Sequence, residues 1–237
     1  PDPDAIHTAR RALMLDIATT HESALTRLYD AMAQPGPYRP DAEGGARRSL
    51  RLAALAYLSR LDGGTRAEAL YRDATNMTER QGALEQLIAA GRDKNALAAF
   101  AQEFGANRLV MDKWFMVQPL RAAPDKAVAR ARDLATRPDF DWKNPNRFRA
   151  LIGGLTANHA GFHAADGAGY DFLAEWLMRL DPVNPQTAAR MCSTYETIGR
   201  YDTDRQALAR AALERIASQP GLSRNTAEMV TRILAGL

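Results

Sequence analysis

Apolar residues recur along this chain with the period of an α-helix. Leu50, Ala53, Ala54, Tyr57, Leu58 and Leu61 fall at i, i+3, i+4, i+7, i+8 and i+11, one stripe of a 3.6-residue helix. Leu84, Leu87 and Ile88 repeat the spacing, as do Leu208, Ala211, Ala212 and Ile216. Alanine, leucine, arginine and glutamate fill the positions between, all good helix formers. No run of period-two alternation marks a strand. Start signals accompany the stripes. Thr65-x-x-Glu68 and Thr78-x-x-Gln81 read as capping boxes, and Asn144-Pro145 and Asn184-Pro185 place a cap before a proline at the first helical position. Gly63-Gly64, Gly91, Gly105 and Gly221 follow apolar stretches, where a left-handed residue closes a helix.

The pattern predicts helices over 4–18, 22–33, 44–61, 66–74, 79–90, 94–103, 107–117, 125–135, 145–156, 168–179, 185–198, 203–217 and 223–235. Short connections make consecutive helices antiparallel neighbours. Helical pairs recur about every 25–40 residues, within the range of HEAT and armadillo units. The expected fold is therefore all-α: a single domain over 1–237, an α-α superhelix of about thirteen helices in antiparallel pairs, with a concave binding face. Two segments, 34–40 and 156–170, read as irregular. The second ranks higher for function, because loops carry binding groups more often than helix interiors.

Composition narrows this picture only slightly. Hydrophobic residues make up 46% and charged residues 25% of 237 residues, ordinary for a globular protein able to bury a core. The net charge is +3, with acidic and basic residues interleaved, which argues for solvated helix faces and against nucleic-acid binding. No stretch of eighteen apolar residues spans a membrane. The start, Pro1-Asp2-Pro3-Asp4, lacks Met and a signal-peptide core and reads as the edge of a fragment. The one cysteine, Cys192, fits a reducing, cytoplasmic setting and a small buried apolar role.

Candidate chemistry is sparse. His159 and His163 stand four apart, a spacing that can place two zinc ligands on one helix face. Ala160 follows His159 where a metallopeptidase needs its general-base glutamate, and no third ligand is suggested, so the pair reads as loop histidines in ordinary hydrogen bonds. No Gly-x-Ser-x-Gly elbow occurs, and Gly153-Gly154 and Gly167-x-Gly169 lack the strand and lysine of a phosphate loop. No catalytic or metal-ligating residue is assigned. In Val110-Met111-Asp112-Lys113-Trp114-Phe115 the aromatic pair is expected to pack while Asp112 and Lys113 stay wet. Arg147 and Arg149 sit near a helix start, against the helix dipole. Their guanidiniums either hold a carboxylate or pair with Asp139 or Asp141.

Taken together, several segments resemble the C-terminal helical domain of bacterial M1 zinc metallopeptidases of the aminopeptidase N type. They are Asn95-Ala96-Leu97 with Phe100 and Phe104, Val110 to Phe115, Asn144 to Arg149 with Leu151-Ile152-Gly153, and Phe162-His163 with Asp166-Gly167 and Gly169-Tyr170. The series ends with Asn184-Pro185-Gln186, Arg190, Tyr201-Asp202 and Arg205-Gln206. The likeness covers most of 75–237 and is weaker before it.

The resemblance implies a helical domain packed over the catalytic domain of the same polypeptide. There it encloses the active-site cavity and limits access to short peptides. It implies zinc in the full-length enzyme and none in this chain, since the His-Glu-x-x-His and Gly-x-Met-Glu-Asn motifs are absent. It also implies that Arg147, Arg149, Gln186 and Arg190 line the substrate cavity, arginines there holding the carboxylate end of a peptide. An isolated chain of this kind should expose an apolar docking face. Two departures from the pattern stand out: His159 where relatives often carry proline, and Pro119, which should end the Trp114-Phe115 helix early. A free-standing HEAT-like scaffold that binds a protein partner is the rival reading.

Overall fold

The computed structural model describes residues 1–34 and 36–237. Among them every regular element is helical. In order these are α1 (Pro3–Thr20), α2 (Glu22–Ala31), α3 (Ala42–Asp62), α4 (Thr65–Asp73), α5 (Met77–Ala89), α6 (Lys94–Phe104) and α7 (Arg108–Arg121). There follow α8 (Pro124–Ala135), α9 (Pro145–Ala157), α10 (His159–Phe162), α11 (Ala168–Leu180), α12 (Pro185–Cys192), a 3₁₀ segment (Ser193–Arg200), α13 (Thr203–Ala217) and α14 (Arg224–Ala235). No described helix is long and apolar enough to cross a membrane.

Internal packing divides the chain into two compact units, Thr8–Trp114 and Pro1–His7 with Phe115–Leu237. In the first, α2 packs on α3, α3 on α4 and α5, and α4 on α5. Its core holds Leu55, Leu58, Leu84, Leu87 and Phe100, and the Trp114 indole donates to the Leu97 carbonyl at 3.0 Å. Arg51 makes a largely buried ion pair with Glu79 at 2.7 Å and lies over the Tyr29 ring. In the second unit, α8, α9 and α10 pack together, α11 lies on α13, and α12 and α13 pack on α14. Phe148, Leu151, Phe162, Tyr170, Phe172 and Tyr195 fill its core.

The structure shifts several sequence expectations. The buried stripe of α3 is Ala54, Leu55 and Leu58, while Leu50 is 48% exposed. In α13 it is Ala209, Ala212, Leu213 and Ile216, with Leu208 outside. Helix α4 is started by Asp62, whose carboxylate accepts from the Gly64, Thr65 and Arg66 amides; the Thr65 hydroxyl donates to the Asp62 carbonyl and accepts from Arg92. Asn76, not Thr78, caps α5, accepting from the Glu79 amide at 3.0 Å. Gly63 closes α3 with φ 61°, whereas Gly105 stays right-handed at φ −54°.

The predicted helix 185–198 is α-helical only to Cys192 and tightens to 3₁₀ beyond. The predicted loop 156–170 contains a helical turn, α10, and the described residues form fourteen α-helices where about thirteen were expected. Pro119 does not end α7, which runs on to Arg121. The carbonyls at the end of α7 are met by Asn158. Its side-chain amide donates to the Pro119 and Ala122 carbonyls at 2.8 and 2.9 Å, while its oxygen accepts from the Gly161 amide and starts α10. One buried amide thus satisfies the end of one helix and the start of another.

Candidate functional site

The first turn of α9 is built as the Asn-Pro signal requires. The Asn144 side chain accepts from the Asn146 amide at 2.9 Å and the Arg147 amide at 3.4 Å, and Pro145 holds the first helical position. Arg147 is buried. It donates from Nη1 to the Asp139 main-chain carbonyl at 2.7 Å, and its guanidinium lies 4.5 Å over the Phe115 ring. The Asp139 carboxylate belongs to Arg137 instead, at 2.8 Å, and that hydrogen bonding holds it below the usual carboxylate range. Arg149, two residues further on, is exposed and donates to the Asn146 side chain at 2.7 Å.

Helix α12 begins the same way, with Asn184 accepting from the Thr187 amide at 3.0 Å. Gln186 and Arg190 both lie on its exposed side. Neither first turn contains an acidic residue. The unpaired amides of a helix start carry partial positive charge. Buried Arg147 lies in the first turn of α9 and Arg149 just beyond it, while Arg190 stands in the last turn of α12.

Trp142 and Arg179 connect the two helix starts, and the sequence reading missed both. Arg179 stands in the last turn of α11, 4.5 Å from the Trp142 ring centre and 4.9 Å from that of Trp176. Trp142 leads into α9, and α12 begins a few residues after Leu180. Helix α11 packs on both α9 and α12. Phe140, Phe148 and Phe172 pack around Trp176 at 5.4–6.3 Å. The available signal was the spacing of Trp176 and Arg179, i and i+3 on one helix.

The two histidines form a separate cluster at α10. His159 Nε2 meets the Tyr201 hydroxyl at 2.6 Å, and His163 Nδ1 meets the Tyr170 hydroxyl at 3.0 Å. Burial depresses the His163 pKa to about 4, with His159 and Arg205 adding to the effect. Buried Tyr170 is pushed upward for the same reason, and the Tyr195 hydroxyl donates to the Tyr170 carbonyl at 2.7 Å. Arg205 closes the cluster, donating to the His163 carbonyl and pairing with Asp202 at 2.7 Å and Asp4 at 2.6 Å. Among the described residues no three His, Cys, Asp or Glu side chains converge to hold a metal. One nitrogen of each imidazole is thus hydrogen-bonded to a tyrosine hydroxyl.

Clefts of about 400 and 690 Å³ are lined wholly by residues of the Thr8–Trp114 unit and include none of Arg147, Arg149, Gln186 and Arg190. The exposed wall at α9 and α12 carries Arg149, Gln186 and Arg190.

Comparison with known proteins gives that wall a context. A family model described as "Domain of unknown function (DUF3458_C) ARM repeats" matches residues 1–235. Aminopeptidase N of Caulobacter vibrioides is 40% identical over 243 residues, covering 98% of this chain and 28% of that protein. Aminopeptidase N of Escherichia coli is 38% identical, covering 99% of this chain and 27% of that protein. The crystal structure of Legionella pneumophila aminopeptidase A in complex with aspartic acid superposes with a TM-score of 0.90 at 26% identity, over 100% of this chain and 29% of that one. The chain thus spans little more than a quarter of the length of the relatives it matches.

Proposed function

We propose, starting from the fact that the chain belongs to the DUF3458_C ARM-repeat family, that it is the C-terminal helical domain of a zinc-dependent aminopeptidase N, which removes N-terminal amino acids from peptides. On this reading residues 1–237 act as one domain. They cover the catalytic domain of the same polypeptide, enclose the active-site cavity and limit which peptides enter. The observation that carries the reading is the match over 98% of this chain to a protein named aminopeptidase N, of which it makes up 28%. Relatives that continue so far beyond the match support a partner domain in the same polypeptide. A single buried cysteine fits a cytoplasmic setting.

Chemistry is divided accordingly. Zinc, held by the catalytic domain, supplies Lewis acidity and an activated water. This chain binds and orients the peptide and excludes solvent. Arg149 near the start of α9, Gln186 at the start of α12 and Arg190 in its last turn are exposed and are proposed to face the peptide beyond the scissile bond. Arg147, buried against Phe115, is proposed to stiffen that wall from behind. Electrostatic guidance of a peptide carboxylate to this side leaves the amino end pointing to the catalytic domain.

Two experiments test the reading. The purified chain, supplied with zinc and an alanyl anilide, should show no turnover; appreciable hydrolysis would refute it. In the assembled enzyme, Arg149→Ala and Arg190→Ala should raise KM for short peptides, and unchanged kinetics for both variants would remove these residues from the cavity.

A further inference from the structure

Arg179 has an unusual position for an exposed arginine. Its guanidinium rests in the notch between two indoles whose centroids are 6.2 Å apart and whose planes meet at 58°. Stacking of this kind immobilises the planar group and leaves its N–H edge free to donate. Most other arginines of this unit use that edge internally: Arg132 on Glu175, Arg215 on Asp171, Arg205 on Asp202 and Asp4, Arg147 on a main-chain carbonyl. Arg179 makes only ring contacts among the described residues, although Glu175 stands one turn before it on α11 and is taken by Arg132. Lys143 adds a second cation 5.7 Å from the Trp142 indole.

We infer that Arg179, fixed on Trp142 and Trp176, is a peptide-carboxylate receptor placed between the starts of α9 and α12. This deepens the proposed function and rests on that reading for the identity of the ligand as a peptide. A held guanidinium presents two parallel donors at the spacing of two carboxylate oxygens. Little rotamer freedom remains to be lost on binding, because the side chain is already ordered. The neighbouring helix starts and Lys143 add positive potential, and neither first turn brings a competing acid.

The test uses the three indole N–H signals of this chain in an NMR titration. Trp142 and Trp176 report on the receptor, and Trp114, whose indole is bonded to Leu97, serves as the internal control. Titrated with tri-alanine free acid, the Trp142 and Trp176 signals should shift saturably while Trp114 stays still. Tri-alanine amide should bind about tenfold more weakly, as expected when one charge-assisted hydrogen bond is replaced by a neutral one. An amide peptide carrying one aspartate separates a main-chain from a side-chain carboxylate; its binding as tightly as the free acid would assign the receptor to acidic side chains. Arg179→Gln should abolish the acid preference, and Arg179→Lys should keep only part of it, since a lysine cannot make the fork. Equal shifts with acid and amide, or an acid preference intact in Arg179→Gln, would overturn the inference. Failure of the covering-domain reading appears elsewhere, as unaltered peptidase kinetics when this chain meets its catalytic domain, so the two outcomes stay distinguishable.

Discussion

Asp181 is the residue whose removal should cost this fold most clearly. It follows the last turn of α11, is 1% exposed, and accepts from the Ser223 amide at 2.7 Å, the Ser223 hydroxyl at 2.6 Å and the Thr226 hydroxyl. Ser223 is itself the cap of α14. One carboxylate therefore anchors the start of the last helix to the corner between α11 and α12. Asp181→Ala strands the buried Thr226 hydroxyl and two donors of half-buried Ser223, each costing about 1–3 kcal/mol when wholly unmet. The hydroxyls can turn to other acceptors and water can enter the vacated space, so the sum is nearer the low end, about 3 kcal/mol in all. For a chain of this length that lowers Tm by about 6–12 °C. Asp181→Asn keeps the shape and one acceptor and should cost about 1 kcal/mol, or about 2–4 °C. Scanning calorimetry on the parent and both variants measures the difference. Adding Thr226→Val to Asp181→Ala should cost less than the two changes apart, by at least about 0.5 kcal/mol. An Ala variant melting within about 2 °C of the parent, or strict additivity with Thr226→Val, would refute the argument.

Three further outcomes are expected. In α9, Gly153 has open space where a Cβ would stand, so Gly153→Ala should stabilise by about 0.5–1 kcal/mol; a Cβ on Gly154 would meet the Met116 carbonyl at 2.3 Å, so Gly154→Ala should destabilise severely, and denaturant melts should show opposite signs. His163 has a folded pKa of about 4, below its ordinary value of 6.5, so the unfolded chain binds the extra proton between those values. Stability is then full above about pH 6.5 and falls toward pH 4 by at most about 1.4 kcal/mol per pH unit, a slope that His163→Gln should flatten in urea titrations. Burial pushes the Cys192 thiol up to about 12, so its reaction with a disulfide reagent at pH 8 should proceed no faster than local opening of the fold; rapid labelling of folded protein would contradict this.

Much of the fold was legible because helix signals are local. The Asn144 and Asn184 caps, the Leu84–Ile88 stripe and the packing of Trp114 and Phe115 each depend on residues within a turn or two, and each stands as read. What failed depended on distant partners. Pro119 looks like a helix end, yet α7 runs on to Arg121, and its final carbonyls are met by Asn158, thirty-nine residues beyond the proline. Leu50 and Leu208 lie on plausible apolar stripes, but the neighbouring helices approach from another angle and bury Leu55 and Leu213 instead.

The candidate site divides the same way. The exposure of Arg149, Gln186 and Arg190 follows from their helical phase, while the notch that holds Arg179 needs Trp142 from a different segment. Several residues behind the family resemblance turn out to hold the fold itself. Asp202 caps α13, Arg205 ties His163 to Asp4, and Gly169 lies under the Phe162 carbonyl, where a Cβ would come within 2.2 Å. That explains why the resemblance spoke clearly about architecture and only indirectly about chemistry.

The central claim is that this chain completes and gates a peptidase. The most direct measurement mixes it with the separately expressed catalytic domain and follows hydrolysis of alanyl and leucyl chromogenic substrates and of peptides of increasing length. The account predicts association, higher activity on short substrates and a lowered limit on peptide size. Two folded parts that neither associate nor change each other's kinetics would contradict it and favour a free-standing helical scaffold.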